Sequence, residues 1–346
     1  MIGNRMRLRI SVAMCTYNGS QFLPAQLQSI AAQTRPPDEL VISDDCSSDR
    51  TCDIATRFAR TAPFPVLVFR NARNIGSTKN FEKAISLCAG THIALADQDD
   101  VWYPQKLTSI EAAFRKRPSA VAVFSDADLI DPDGNAIAQR LWNSFRFSRS
   151  EQGRFAQGDA LTILAKHPVV TGATMAFRGD RFPLLMPLLA TQIHDRWMSF
   201  LLAASGGIVP ISTPLMSYRV HQNQQVGTGD NRILSRFAQA SRTGPDFYFD
   251  EIRQFRELAE KLTNQAGQFP FARKALAEIE KKIAHRRHRA ELPSSALSRV
   301  FSVLCEAASG RYSRYSEGWQ SIAKDLAGLA PSSSTRPLAD ASASKL

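Results

Sequence analysis

Three carboxylates within four residues are the densest chemistry in this sequence. In Thr91-His-Ile-Ala-Leu-Ala-Asp97-Gln98-Asp99-Asp100-Val-Trp-Tyr103-Pro104, an apolar run from Ile93 to Ala96 ends abruptly in acid. Carboxylates crowded at the end of a buried strand repel one another unless a cation lies between them. Oxygen ligands at this density suit Mg²⁺ or Mn²⁺, which keep several waters and share their coordination with substrate phosphates. An Asp-rich turn would use the same residues, since Asp favours turns and caps. A fourth acid, Asp195 in Ile193-His194-Asp195-Arg196-Trp197, stands just before an uncharged helical stretch. There it fits a general base or a residue that complements the helix dipole.

Elements must place these groups. Leu8 to Met14 reads as a buried strand ending at Thr16-Tyr17-Asn18-Gly19. Glu39 to Ser43 is a second, ending at Asp44-Asp45, and Val66 to Phe69 a third. The strand before Asp97 comes next, then Ala120 to Phe124, ending at Ser125-Asp126. Helical spacing fills the gaps over 23–33, 51–60 (capped by Ser47, Ser48 or Asp49), 77–88 and 105–117. Strands alternating with helices predict an α/β fold with a mostly parallel sheet and right-handed crossovers. Such sheets bind ligands at the carboxyl ends of their strands, where four polar clusters fall. Neither GxGxxG after the first strand nor GxxxxGK[ST] is present, so phosphates must be held by another device.

The second half changes character. Val169 to Phe177 reads as a strand, Arg181 to Thr191 as helical, and Trp197 to Tyr218 as a buried helix, a Gly turn and a strand at Ile208 to Ile211. That uncharged stretch is also roughly membrane-length, but its Gly and Pro content favours the buried reading. Long helices follow at 247–266, 272–289 and 296–308, with a Ser/Ala-rich, disordered tail at 331–346.

The 346 residues are 44% hydrophobic and 22% charged, which suits a soluble globular protein. The five Cys are odd in number, and Cys46 and Cys52 lack CxxC spacing, so buried free thiols in a reducing cytosol are expected. No secretory signal is visible at the N-terminus. Net charge is +11, and residues 231–346 carry 19 Lys and Arg against 12 Asp and Glu. The cations of 273–289 suggest an anionic membrane surface or a solvated helix face.

In order and spacing, Thr16-Tyr17-Asn18-Gly19, Asp44-Asp45 with Asp49, Asn74-Ile-Gly76 with Asn80, and Asp97-Gln-Asp99-Asp100-Val-Trp resemble the signatures of family 2 glycosyltransferases with the GT-A fold. The resemblance covers roughly residues 8–225. Thr171-Gly172, His194-Asp195-Arg196-Trp197 and Tyr218-Arg219-Val-His221-Gln222 further resemble the rhamnosyltransferase-like branch of bacterial surface-polysaccharide synthesis, with Arg196 a departure. It implies a catalytic domain over 1–230, with a nucleotide-sugar half to about 130 and an acceptor half beyond, followed by a basic helical extension over 231–330.

The implied activity is inverting, metal-dependent transfer of a sugar such as rhamnose from a nucleoside-diphosphate sugar to a glycan or polyprenyl-linked acceptor, with Mg²⁺ or Mn²⁺ as cofactor and no role for nucleic acid. The implied place is the cytoplasm, at the inner face of the plasma membrane. Thr16, Tyr17 and Asn18 would line the nucleobase pocket, and Asp45 would accept from the base. Lys79 or Asn80 would lie near ribose or diphosphate, with Gln98 also on the donor. Asp97 would face ribose and a metal-bound water, Asp99 would ligate the metal, and His221 would reach diphosphate or metal. Asp195 would be the base, and Asp100 has no settled role. A nucleotidyltransferase or a non-catalytic binding protein on the same sheet are the alternatives.

Overall fold

The structure, a computed structural model, describes residues 8–221 and 245–328. The tail expected at 331–346, the boundary expected near 230 and Gln222 lie outside these residues. The first half is built as expected. Strands β1 (Ile10–Thr16), β2 (Glu39–Asp44), β3 (Val66–Arg70) and β4 (His92–Ala96) alternate with helices α1 (Leu23–Ala31), α2 (Thr51–Ala59) and α3 (Ser77–Ser86). All pairings among these strands are parallel. Every residue of β1 and β4 is buried, which explains why both read as apolar runs rather than alternating ones.

Beyond Asp100 the sheet turns mixed. Short β5 (Val101–Trp102) and helix α4 (Lys106–Lys116) lead to β6 (Ala120–Ile130) and its hairpin partner β7 (Ala136–Arg140). Helices α5 (Leu141–Ser144), α6 (Arg149–Arg154) and α7 (Ala160–Lys166) cover one end. Strand β8 (Met175–Arg178), helices α8 (Phe182–Leu185) and α9 (His194–Ser205), and strand β9 (Gly207–Arg219) complete the sheet. Its order is β3-β2-β1-β4-β8-β6-β9-β5. Strand β8 runs antiparallel to both β4 and β6, whereas β6 and β9 pair in parallel, so β8 is an antiparallel strand set between two parallel groups.

Several expectations need correction. The strand expected over 169–177 is only Met175–Arg178, because Thr171 to Thr174 closes a tight turn with Thr174 N–H and hydroxyl both donating to Thr171 O (3.0 and 2.8 Å). The helix expected over 181–191 ends at Leu185, since Met186 precedes Pro187 and takes an extended ψ of 146°. Strand β6 runs through Ser125-Asp126, which are buried mid-strand residues and not a strand end. Asp126 accepts from the Ala127 and Trp142 amides. Strand β9 likewise extends to Arg219.

The C-terminal helices are α10 (Pro245–Asn264), α11 (Ala272–Ala290), α12 (Ala296–Ala308), α13 (Arg311–Tyr315) and α14 (Trp319–Leu326). Helices α10 and α11 pack on each other and on α9, and α11 also packs on α7. Phe255, Leu258, Leu262, Ile279 and Tyr315 join the same buried cluster as the sheet. The expected basic face of 273–289 is divided. Lys282, Arg286 and Arg289, at helical spacing, point inward and are buried, whereas Arg273, Lys274, Lys281 and Arg287 point outward. Glu251 pairs with Lys282 (3.4 Å), Arg196 (3.8 Å) and Arg286, and Asp325 takes two bonds from Arg289 (2.7 and 2.8 Å). The five cysteines are free thiols, but only Cys15 is fully buried and Cys305 is exposed. No helix among the described residues is long and apolar enough to cross a membrane.

Candidate functional site

The carboxyl ends of β1, β2 and β4 are level, with Thr16 paired to Asp44 and Met14 to Ala96. A cavity of about 400 Å³ opens there, lined from both halves of the sheet. Thr16 ends β1 in its wall, and its buried hydroxyl has no hydrogen-bond partner among the described residues. Tyr17 follows with its ring 37% exposed at the mouth. Its backbone is clamped by Gln98, whose Oε1 accepts from Tyr17 N–H (2.9 Å) and whose Nε2 donates to Tyr17 O (3.0 Å). Gln98 thus braces the loop. A Cβ at Gly19 would meet Gln98 Oε1 at 2.0 Å, so a side chain there would push Gln98 off this clamp.

Asn18 adopts φ 46°, a conformation Asn tolerates better than most residues. Its amide donates to Ser47 Oγ (2.9 Å), and its Oδ1 accepts from Ser48 N–H (2.9 Å). The Ser47-Ser48-Asp49 segment therefore ties the β1 and β2 loops together. Arg50 holds the N-cap position of helix α2, and Asp49 Oδ1 accepts from the N–H of Thr51, its first residue (3.0 Å).

Asp45 is buried, and its carboxylate is fixed by three donors. Oδ1 accepts from Asn71 Nδ2 (2.8 Å) and Ile75 N–H (2.9 Å), and Oδ2 from Gly76 N–H (2.9 Å). A carboxylate offers about four acceptor sites, so Oδ2 retains one on the cavity wall. Asn80 lines the cavity too, but its amide is spent on Ser43, through Oδ1 (2.7 Å) and Nδ2 (2.7 Å). Lys79 does not line the cavity; its ammonium pairs with Glu82 at 2.9 Å.

The acidic segment splits into separate environments. Asp97 lines the cavity, and its carbonyl accepts from Gln26 Nε2 (3.0 Å). Asp99 also lines it, with Oδ2 2.8 Å from His221 Nε2. His221 in turn packs on Phe22, ring centroids 4.9 Å apart. Asp100 points the other way. It is wholly buried, accepts from Arg219 N–H (3.1 Å), and leaves Oδ2 without a hydrogen-bond partner among the described residues. Burial, then Asp99 and Asp97, push it well above the usual carboxylate range. Burial pulls Lys106 down to about 7, against the pull of Asp100. Asp100 is thus a buried residue of the β4–β5 turn.

Arg219 was given no role from sequence. It is buried, donates Nε to Asp99 O (2.7 Å), and grips Asp131 and Pro132 carbonyls (3.0 and 2.9 Å). An Arg inside an otherwise apolar strand end was the available signal.

Asp195 enters from the opposite wall, in the first turn of α9, with Oδ1 2.8 Å from His194 Nε2. His194 stacks on Phe81 at 4.3 Å. Gly172 makes this approach feasible, since a Cβ there would meet Asp195 Oδ1 at 2.7 Å and His194 Nε2 at 2.8 Å. A second cavity of about 190 Å³ shares Thr171, Ile193 and Asp195 with the first. Its remaining walls include Arg196, Phe247 and Arg286, so the C-terminal helices reach the same carboxylate.

No group of three or more His, Cys, Asp or Glu that could hold a metal occurs among the described residues. The chain offers Asp99 and His221, one oxygen and one nitrogen donor side by side. That pair fits Mg²⁺ or Mn²⁺ only where a ligand's oxygens and waters complete the shell.

Residues 11–179 match the model of the glycosyl transferase family 2. The dTDP-rhamnosyl transferase RfbG of Shigella flexneri is 35% identical over 226 residues, covering 62% of this chain and 73% of that protein. An uncharacterized glycosyltransferase of Nostoc sp. is 27% identical over 223 residues, covering 62% of this chain. The match spans 65% of that relative's length, and 37% of an uncharacterized Mycobacterium tuberculosis protein. Among solved structures, S. aureus TarS 1–349 with UDP-GlcNAc superposes with a TM-score of 0.56 at 18% identity, over 93% of this chain and 84% of that one. Mannosyltransferase PcManGT from Pyrobaculum calidifontis, in complex with GDP-Man and Mn²⁺, gives 0.51 at 18%, over 93% and 86%. The fold is therefore of the GT-A kind, and the chain belongs to family 2 of the glycosyltransferases.

Proposed function

We propose that the chain transfers a sugar from a nucleoside-diphosphate donor to an acceptor hydroxyl with inversion. The observation that carries this is one cavity holding Asp45, Asp97, Asp99 and His221 on one side and Asp195 on the other. The Thr16 hydroxyl and the remaining acceptor site of Asp45 offer polar partners to a nucleobase, and the Tyr17 ring offers a face to stack on. Asn18, Gln98 and Asn80 act by positioning these loops. Asp99 and His221 would hold a divalent cation, with Asp97 beside them on the ribose. Such a cation neutralises the charge that develops on a leaving diphosphate. The cation in PcManGT supports this reading by analogy of fold alone.

Asp195 takes the proton from the acceptor hydroxyl as its oxygen attacks the anomeric carbon. The carbon–phosphate-oxygen bond breaks, and the nucleoside diphosphate leaves with the electron pair. The second cavity is the acceptor chamber, so the C-terminal helices share in acceptor choice. Rhamnose as the sugar, and a surface polysaccharide as the product, rest on the kinship with RfbG. The boundary between a catalytic domain to about 230 and a helical extension is part of the same reading, though the two share one core.

Transfer assays with dTDP-rhamnose and other donors test it. Asp195→Asn should lower kcat about 10²- to 10⁴-fold with donor binding kept, as for loss of a general base. Asp99→Asn should weaken divalent-dependent donor binding, and Phe247→Ala should raise the acceptor KM alone. Wild-type turnover in both Asp variants would overturn the mechanism.

A further inference from the structure

Helices α12 (Ala296–Ala308) and α14 (Trp319–Leu326) pack on each other, and both are inverted relative to ordinary surface helices. Their carboxylates face inward. Glu306 and Asp325 are buried, bonded to His285 (2.8 Å) and Arg289 (2.7 Å). Their apolar side chains face outward. On α12, Leu297 is 86% exposed, Phe301 72%, Leu304 55% and Val300 41%, at i, i+4, i+7 and i+3 spacing. On α14 the same spacing brings out Trp319 (74%), Ala323 and Leu326 (38%), with Ile322 half-buried between them. Water gains nothing from such a face, and a contiguous apolar patch of this kind marks an interaction surface.

We propose that this face is a docking surface for an anionic lipid bilayer, with α12 and α14 lying in the plane of the interface. Charge selects this occupant. Between 292 and 328, Arg299, Arg311, Arg314 and Lys324 remain at least partly exposed; Arg311 and Arg314 also lean back on the buried Glu306 (3.0 Å) and Glu278 (2.8 Å), and Glu317 is the one acid in this stretch that is not buried. A second copy seated on the same patch would set these cations against their own equivalents. An anionic headgroup layer would pair with them while Phe301, Leu304 and Trp319 enter the acyl boundary.

The test is vesicle sedimentation of the full chain with phosphatidylcholine alone and with phosphatidylglycerol added, read alongside tryptophan emission. Trp102, Trp142 and Trp197 are each 2% exposed, so a change on adding vesicles reports Trp319. The expected result is binding and a blue shift with phosphatidylglycerol, and at least tenfold weaker partitioning in Phe301→Ser/Leu304→Ser. Trp319→Ser, which removes one exposed side chain, should weaken partitioning severalfold and serves if the double variant melts early. Equal binding by wild type and variants overturns the proposal. So does no binding by wild type, or a concentration-dependent dimer that the variants abolish. Since binding is read without turnover, the outcome is independent of the transferase reading.

Discussion

Two buried charge clusters sit on either side of Asp195, and they are finished differently. In the C-terminal cluster the charges pair with one another, although Arg196, Glu251 and Arg286 also line the second cavity. Ser316 Oγ accepts from Arg286 (3.1 Å) and Arg289 (2.9 Å) and can donate only to His285 Nε2 (2.8 Å). That requires a neutral imidazole with its proton on Nδ1, facing Glu306. Burial, with Arg286 and Lys282 nearby, pulls His285 down to about 2, as this arrangement demands. In the strand-end cluster the groups are held but not saturated. Among the described residues, Thr16 keeps a hydroxyl with no hydrogen-bond partner, Asp45 an acceptor site, and the Asp99 carboxylate a single partner in His221. One cluster pairs its charges with one another, and the other leaves polar groups open on its cavity.

The comparison can be broken from either side. Glu251→Gln strands Arg196 and Arg286 as buried cations, and should cost about 3–5 kcal/mol in denaturant unfolding. Donor affinity of the surviving folded protein should match wild type; a loss there would mean that the closed cluster also serves the ligand. Next in size, Gly172→Ala forces Asp195 or His194 aside. A displacement near 1 Å should lower kcat about a hundredfold, with the melting temperature little changed. An unaltered kcat would show that Asp195 needs no such precision.

The smallest effect is on pH dependence. His285 has its folded pKa below its unfolded value of about 6.5, so the unfolded chain binds the extra proton. Its contribution is present above pH 6.5 and is lost as pH falls. Between pH 6.5 and 5 the loss from this group should approach ~2 kcal/mol. His285→Asn should flatten that limb of the stability profile, and a profile identical to wild type would place the imidazole outside the closed network.

Much of the strand-end cluster was legible because local signals coincide with the ends of elements there. An apolar run that stops at Asp97, or a strand that ends in Asp44-Asp45, fixes both an element and a group at its tip. Ser125-Asp126 misled for the same reason: bulges carry β6 past its polar residues, and only the pairing with β9 shows it. The C-terminal cluster was misread because charge along a helix says nothing about direction. Lys282, Arg286 and Arg289 differ from Lys281 and Arg287 only in what packs against them. Phe22 under His221, and Phe81 under His194, gave no sequence signal, since an aromatic on a helix face reads as core.

Strand β9 enters the sheet between β6 and β5 and is the last strand among the described residues. The bond from Arg219 N–H to Asp100 spans 119 residues. At ribosomal speeds of about 5–20 residues per second, that separation is on the order of ten seconds of synthesis. Throughout it the nascent chain holds the acidic segment without the strand that buries Asp100 and with the flank of β6 unpaired. The donor-side cavity is therefore a late product of translation, assembled only when the second half of the sheet arrives.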